Sequence, residues 1–200
     1  MNDQLPGSGV PENTGTREEL FAGVHFFVLA DVFVFAALFT GFMVERAVHV
    51  EVFNTSAARL DVWVGVLNTL ILVTSGLCIA IAVEAARKGM ATVARRWIAA
   101  SFIVGIGFGV SKVLEYADKV SQDITMHTND FFMFYYALTG AHFLHFLGGM
   151  AALVYIYARS AKERVNGKFF ITIEGVALYW HMVDLLWIFI FPLLYLLGLQ

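Results

Sequence analysis

The sequence predicts an all-α membrane protein, built as a bundle of five transmembrane helices. The chain of 200 residues is 59% hydrophobic and only 14% charged, whereas a water-soluble domain carries roughly 25% charged residues. Its apolar residues also fall into five long runs, each with the roughly 20 residues that a helix needs to cross the hydrocarbon core. The runs cover residues 21–44, 62–83, 97–116, 131–158 and 176–197.

Each run is far longer than a strand of a membrane barrel, and unpaired backbone groups are prohibitive in lipid, so all five are predicted as helices. Residues 1–19 contain Pro6, Pro11 and several Gly and Asn residues, and we predict a flexible cytoplasmic tail there. This tail has no basic segment and no cleavage site of a signal peptide. Residues 20–200 are predicted as a single transmembrane domain, in which the one cysteine, Cys78, is a packing residue.

The basic residues predict the orientation of the bundle. The face that holds the amino terminus carries nine of the 13 Lys and Arg residues: Arg17, Arg87, Lys88, Arg95, Arg96, Arg159, Lys162, Arg164 and Lys168. The opposite face has only Arg46, Arg59 and Lys119. Because positive residues mark the cytoplasmic side, the amino terminus is predicted inside and the carboxyl terminus outside. The net charge of −3 is too small to indicate a partner, and because the sequence has no basic patch for nucleic acid, no nucleic-acid partner is predicted.

Ionisable side chains inside the spans are the candidates for function, because a carboxylate at the bilayer centre costs on the order of 2.5–3.5 kcal/mol. Spacings of seven and three residues place Glu174, His181 and Asp184 on one face of the last span. We expect this face to meet the fourth span, with Asp184 or Glu174 hydrogen-bonded to a histidine there and with the first span in the same layer. The predicted intramembrane polar cluster is Asp31, His142, His145, Glu174, His181 and Asp184.

Two roles fit this cluster: it locks the bundle, which we favour, or it conducts protons. Lys112 and Glu115 lie one helical turn apart, and we predict a structural ion pair that lowers their insertion cost. His142 and His145 share a helix face, but two imidazoles do not complete a metal site. A third ligand would have to come from His181 or a carboxylate, so no metal is predicted.

A catalyst or carrier is the rival class of protein. A small b-type cytochrome needs an axial histidine from each of two helices at matching depth, and His25 with His181 or His142 is the available combination. A proton-coupled carrier would use Asp31, Asp184 and the histidines as a relay. The sequence has no Gly-rich phosphate loop, no Gly-x-Ser-x-Gly turn and no His-Glu-x-x-His.

Several spaced motifs, taken in order, resemble the subunit III family of the haem-copper oxidases, from about residue 21 to residue 198. The motifs are Asn68-Thr69 with Thr74-Ser75-Gly76, Gly107-Phe108, Glu115-Tyr116, Thr139-Gly140-x-His142-x-x-His145 with Gly148, and Glu174 with Tyr179 to Asp184. Long members of that family have seven helices, and the five spans here correspond to the carboxyl-terminal five.

The resemblance implies a non-catalytic accessory subunit that holds no haem, copper or other cofactor. Such a subunit packs against the catalytic subunit of a haem-copper oxidoreductase, binds phospholipid, and sustains turnover and proton supply. We assign Arg159 as the candidate contact to a lipid headgroup. The resemblance also implies a multi-pass protein of the bacterial inner (plasma) membrane.

Within the family, the chain is most similar to the five-helix accessory proteins associated with nitric oxide reductase. Lys112 stands where oxidases usually have Gln, and Thr128-Asn-Asp-Phe-Phe precedes the fourth-span motif. The same five-helix size also occurs in quinol oxidase subunit III. Asp31 stands where many cytochrome c oxidases carry a Glu, which keeps the carboxylate but shortens its reach.

Overall fold

The structure is a computed structural model that describes residues 14–162 and 167–197, and all regular structure in these ranges is helical. Five helices are long and apolar enough to cross a membrane, which confirms the predicted five-helix membrane bundle. The helices are α1 (Thr14–Val48), α2 (Val50–Ala57), α3 (Val62–Arg87), α4 (Ala91–Ser121), α5 (Asp130–Lys162) and α6 (Gly167–Phe191), and a π-helical turn follows at Pro192–Leu196.

Most of the helices run past the ends of the apolar runs that predict them. The candidate spans are Phe26–Val48, Val62–Arg87, Ala91–Ser121, Asp130–Ser160 and Phe169–Leu196. Their ends carry charged residues such as Arg87 and Lys119, which the apolar runs leave out. An apolar run therefore marks where a helix crosses the membrane but understates its length.

The amino-terminal end of α1 falls within the range predicted as a tail. Helix α1 begins at Thr14, so residues 14–19 are helical, while residues 1–13 lie outside the described residues. The segment after Thr16 contains Arg, Glu and Leu, which are strong helix formers and extend the helix beyond the apolar run.

Helix α2, which the apolar runs do not predict, covers the ends of α1 and α5. Phe53 is fully buried, and its ring centroid lies 5.1 Å from that of Phe42 on α1 and 5.7 Å from that of Phe131 on α5. The side-chain amide of Asn129 donates to Ser56 Oγ at 2.9 Å. These contacts fix one end of α1, which otherwise presents a largely exposed apolar surface.

Helix α6 lies at the centre of the bundle and packs against α1, α3 and α5. Helices α3 and α4 form the most extensive pair, because small residues let their backbones approach. There Ser75 Oγ donates to the carbonyl of Ser101 at 2.8 Å, and Ser101 Oγ donates to the carbonyl of Ser75 at 2.9 Å. Helix α4 completes the bundle by packing against α5.

The chain changes its helical register after α6. Pro192 has no backbone N–H and cannot continue the ordinary α-helical hydrogen bonds, so the last turn takes the wider π geometry. This turn buries Tyr195 completely and directs its hydroxyl towards α4.

Candidate functional site

The first polar site joins α1 to α5. Asp31 Oδ2 lies 3.0 Å from His145 Nε2, and both side chains are mostly buried. The other ring nitrogen, His145 Nδ1, lies 2.8 Å from the carbonyl of Ala141, which can only accept a hydrogen bond. Nδ1 therefore carries a proton, and Nε2 is the ring nitrogen that faces the carboxylate.

Aromatic side chains surround this pair. Tyr179 of α6 donates its hydroxyl to the carbonyl of His145 at 2.9 Å. The rings of Phe27 and Phe35 lie 6.2 and 5.8 Å from the imidazole. Asp31 Oδ2 is buried and makes no hydrogen bond in the part of the chain that the structure describes. The site is thus an ionisable pair packed among aromatic rings, with the hydroxyl of Tyr179 close by.

The second site is built around Lys112 of α4, which is fully buried. Its ammonium donates to Glu115 Oε2 at 3.0 Å and to the hydroxyl of Tyr195 at 2.9 Å. Glu115 Oε1 accepts from the hydroxyls of Tyr135 at 2.7 Å and Tyr195 at 2.5 Å. Four aromatic rings also lie 5.0–5.6 Å from the ammonium, those of Tyr116, Tyr135, Trp187 and Tyr195. Cation–π attraction and hydrogen bonds therefore replace the water that the charge loses on burial.

The spacing of Lys112 and Glu115 predicts their contact, but it does not predict the tyrosines around them. Tyr195 is 80 residues from Glu115 in the chain. The adjacent tyrosines Tyr135 and Tyr136 were the one feature of the sequence that could have indicated these partners, because a buried tyrosine hydroxyl needs a hydrogen-bond partner. The hydroxyl of Tyr136 donates to the carbonyl of Ile124 at 2.8 Å, whereas the hydroxyl of Tyr135 donates to the carboxylate of Glu115.

His142 lies apart from both sites, and the predicted hydrogen bond between a carboxylate of α6 and either His142 or His145 is wrong, since His145 faces Asp31 instead. The imidazole is fully buried between the rings of Phe108 and Trp187, at 5.5 and 5.3 Å. Neither ring nitrogen has a hydrogen-bond partner among the described residues. The side-chain amide of Asn68 is also buried and unpaired there. Ordered water is the usual partner of such groups in a protein interior.

The polar face of α6 meets α3, and the expectation that it meets the fourth span is therefore wrong. Glu174 accepts from Arg87 at 3.3 Å. Asp184 Oδ2 lies 3.7 Å from His181 Nδ1 on its own helix and directly against Gly76 of α3. The physical reason is the absence of a side chain at Gly76, which leaves room for the carboxylate between the two helices. Of the six predicted residues, the structure pairs Asp31 with His145 and His181 with Asp184, but it does not form one cluster.

Arg159, the candidate lipid contact, lies near the end of α5. One guanidinium nitrogen is 3.1 Å from the hydroxyl of Tyr155 and 3.5 Å from the hydroxyl of Thr172 on α6. These contacts connect α5 to the start of α6. The headgroup contact at Arg159 stays a prediction.

Among the described residues, three potential metal ligands come together only where Glu45, His49 and Asp130 meet, with their ligand atoms within 4.8 Å of one another. Two of the three side chains are exposed, and His49 pairs with Glu45 at 3.3 Å. The pair of histidines considered for a metal site does not converge, since His145 contacts Asp31 and His142 faces the aromatic rings. The side chain of His25 lies outside the described residues.

These features define a polytopic membrane protein that buries ionisable side chains, including the Lys112–Glu115 pair, inside a five-helix bundle. The family profile of cytochrome c oxidase subunit III matches residues 10–199. This chain belongs to the cytochrome c oxidase subunit III family.

Curated relatives are similar in sequence to this protein over most of its length. The probable cytochrome c oxidase subunit 3 of Mycobacterium tuberculosis is 27% identical over 83% of this chain and 82% of its own length. The cytochrome c oxidase subunit 3 of Thermostichus vulcanus is 29% identical over 88% of this chain and 86% of its own. That of Synechocystis is 30% identical over 88% of this chain and 74% of its own.

Proposed function

We propose that this protein is a non-catalytic accessory subunit of a bacterial haem-copper oxidoreductase, located in the inner membrane. The match to the subunit III family along residues 10–199 carries the proposal. The role is to stabilise the catalytic subunit and to support its proton supply during turnover. The pairing of Asp31 on α1 with His145 on α5 supports the second part of this role, because ionisable groups inside a span are candidates for proton transfer.

We expect the tagged protein to co-purify with a haem-containing catalytic subunit in mild detergent. Deletion of its gene should lower the activity of that enzyme, or shorten its lifetime during turnover, without removing haem from it. Haem content by optical spectroscopy and oxygen or nitric oxide consumption by electrode measure the two effects. A full and stable activity without the protein, or a Soret band from the isolated chain, would contradict the proposal; the second result would favour the cytochrome alternative.

The Asp31→Asn variant separates the two parts of the role in the same experiment. An asparagine amide can donate to a neutral His145 Nε2, so the contact between α1 and α5 is kept while the ionisable carboxylate is lost. If Asp31 supplies protons, the variant should assemble normally but slow turnover at high pH, where protons are scarce. Unchanged turnover across pH would leave stabilisation as the only role and would argue equally against a proton-coupled carrier.

The identity of the catalytic partner is the finer part of the proposal. The relatives are named as subunits of cytochrome c oxidase. Lys112, which stands where oxidases usually have Gln, favours a nitric oxide reductase partner instead. Because Lys112 is buried and bonded to Glu115 and Tyr195, this difference belongs to the packing of the fold and is not a change at the surface. Comparison of oxygen and nitric oxide consumption by the co-purified complex decides between these partners. Phospholipid bound near Arg159 belongs to the same proposal and is measured by lipid extraction from the wild type and from Arg159→Leu.

The orientation of the bundle, with the amino terminus in the cytoplasm, is tested at two exposed methionines. Met90 lies in the turn between α3 and α4, and Met126 lies in the loop between α4 and α5. In a background with Cys78→Ala, a cysteine at Met126 should react with an impermeant maleimide added to whole cells. A cysteine at Met90 should react only after the membrane is opened. The reverse labelling pattern would show that the distribution of basic residues predicts the wrong orientation.

A further inference from the structure

Glu45, His49 and Asp130 form a cluster at the end of the bundle where α1 meets α2 and α5. Glu45 lies in the last turn of α1, His49 is the single residue between α1 and α2, and Asp130 begins α5. One possible ligand atom from each of the three side chains lies within 4.8 Å of the other two. Asp130 is distant from the other two residues in the chain, so the tertiary fold brings its carboxylate to them.

A buried aromatic core holds the three elements in this arrangement. It consists of Phe42 of α1, Phe53 of α2 and Phe131 of α5, and each lies about one helical turn or less from a residue of the cluster. The ring centroid of Phe42 is 5.1 Å from that of Phe53 and 6.1 Å from that of Phe131, and the last two are 5.7 Å apart. Because the packing locks these rings together, the backbone positions of the three possible ligands are set in advance, which favours binding.

Helix capping does not account for the positions of Asp130 and His49. Asn129 caps α5 with its own side chain, since its Oδ1 accepts from the backbone N–H of Phe132 at 3.0 Å. His49 occupies the position before the first residue of α2, but its side chain makes no capping hydrogen bond. Its Nε2 lies instead 3.3 Å from Glu45 Oε1. The imidazole and the two carboxylates are therefore directed at one another and not at the helix ends.

The charges of the cluster favour a cation as its ligand. Among the described residues, no lysine or arginine forms an ion pair with Glu45 or Asp130. Arg46, which lies next to Glu45, contacts Asn54 Oδ1 at 3.5 Å instead. Two carboxylates are thus brought together by a rigid frame without a lysine or arginine to compensate them, and a bound divalent cation would remove the repulsion between them.

We propose that Glu45, His49 and Asp130 bind a divalent transition metal ion, for which Zn²⁺ is the best fit. Imidazole nitrogen and carboxylate oxygen are ordinary ligands of Zn²⁺, whereas Ca²⁺ and Mg²⁺ are bound mainly by oxygen. Two of the three side chains are exposed, so water completes the coordination. The ion connects α1 to α5 and so stabilises the attachment of α1, whose span has the smallest buried share of the five. The site concerns this chain alone and does not depend on its catalytic partner.

The test measures Zn²⁺ binding to the purified full-length protein, which carries a tag without histidines and is first stripped of metal by a chelator. Competition with a chromogenic zinc indicator gives the stoichiometry and the dissociation constant. We expect one Zn²⁺ per chain, with a dissociation constant in the micromolar range or below. His49→Ala and Asp130→Asn should each weaken binding by at least about tenfold, the smallest usual effect of losing even an outer partner of a metal ligand.

His127→Ala is the matched control, because His127 is an exposed histidine in the loop between α4 and α5 and does not belong to the cluster. This variant should bind Zn²⁺ as tightly as the wild type. An equal loss of affinity in His127→Ala and His49→Ala would indicate adventitious binding by surface histidines and would overturn the site. So would a wild-type affinity no higher than that of His49→Ala.

Thermal unfolding in one detergent gives a second readout. Zn²⁺ should raise the melting temperature of the wild type by several degrees, because an ion that binds only the folded state stabilises it, whereas the same concentration of Mg²⁺ should not. The rise should be absent in His49→Ala. If His49→Ala is unstable even without metal, Asp130→Asn, which keeps the size of the side chain, decides the question. A rise in that variant as large as in the wild type would contradict the proposal.

Discussion

The Lys112→Met variant is expected to lose about 3–5 kcal/mol of stability, because it leaves the carboxylate of Glu115 in the interior without its cation. Lys112 is fully buried, and methionine has a similar length, so the loss comes from charge rather than from a cavity. Only the hydroxyls of Tyr135 and Tyr195 would still donate to the carboxylate. Thermal unfolding of the purified protein in one detergent, followed by scanning fluorimetry, measures the effect.

Two controls distinguish this mechanism from a general effect of losing a positive charge. Lys88→Met removes an exposed lysine that lies 3.1 Å from Glu84, and such pairs contribute at most about 1 kcal/mol. The double variant Lys112→Met with Glu115→Gln removes both buried charges, so it should recover much of the stability lost by the single variant. A single variant as stable as the wild type, or a double variant no better than the single one, would contradict the ion-pair account.

The helices could be predicted from the sequence, since a run of about 20 apolar residues is a local property that is sufficient to place a helix in the membrane. The contact of Lys112 with Glu115 is local too, as the two residues lie one turn apart on α4. Tyr195 enters that site only because Pro192 changes the helical register at the end of α6, and no local pattern predicts this. The contact between residues one turn apart could thus be predicted from the sequence, whereas the more distant groups that complete the buried site could not.

The polar face of α6 shows a second limit. Spacing predicts that Glu174, His181 and Asp184 share a face, but it does not tell which neighbouring helix that face meets. The structure places it against α3, where Arg87 pairs with Glu174 and Gly76 makes room for Asp184. A signal was present in Gly76 itself, because a glycine in a membrane helix allows close approach of another element. The rotation of α6 about its own axis is set by its packing against three helices, so it cannot be predicted from the sequence of α6 alone.

The Gly149→Ala variant is expected to destabilise the bundle by about 1–3 kcal/mol, the usual effect of overpacking a core. A Cβ atom at Gly149 of α5 would lie 2.5 Å from Trp180 Cε3 and 2.6 Å from Cζ3. Trp180 of α6 is fully buried, and its ring also lies 3.4 Å from the Cβ position of Gly105 on α4. The indole is held between two helices and cannot move away, so α5 and α6 must separate.

Gly140→Ala, on the same helix, is the matched control. A Cβ atom there meets nothing within 4 Å. Alanine also favours the helix over glycine by up to about 1 kcal/mol, so this variant should melt at the same temperature as the wild type or slightly higher. Gly105→Ala should fall between the two, because its Cβ atom would press at 3.1 Å on Met150 Sδ, the flexible end of a side chain. The melting temperatures should therefore rank Gly140→Ala, Gly105→Ala and Gly149→Ala from highest to lowest. An equal loss in all three variants would mean that glycine itself, and not the position of Trp180, sets the stability of this interface.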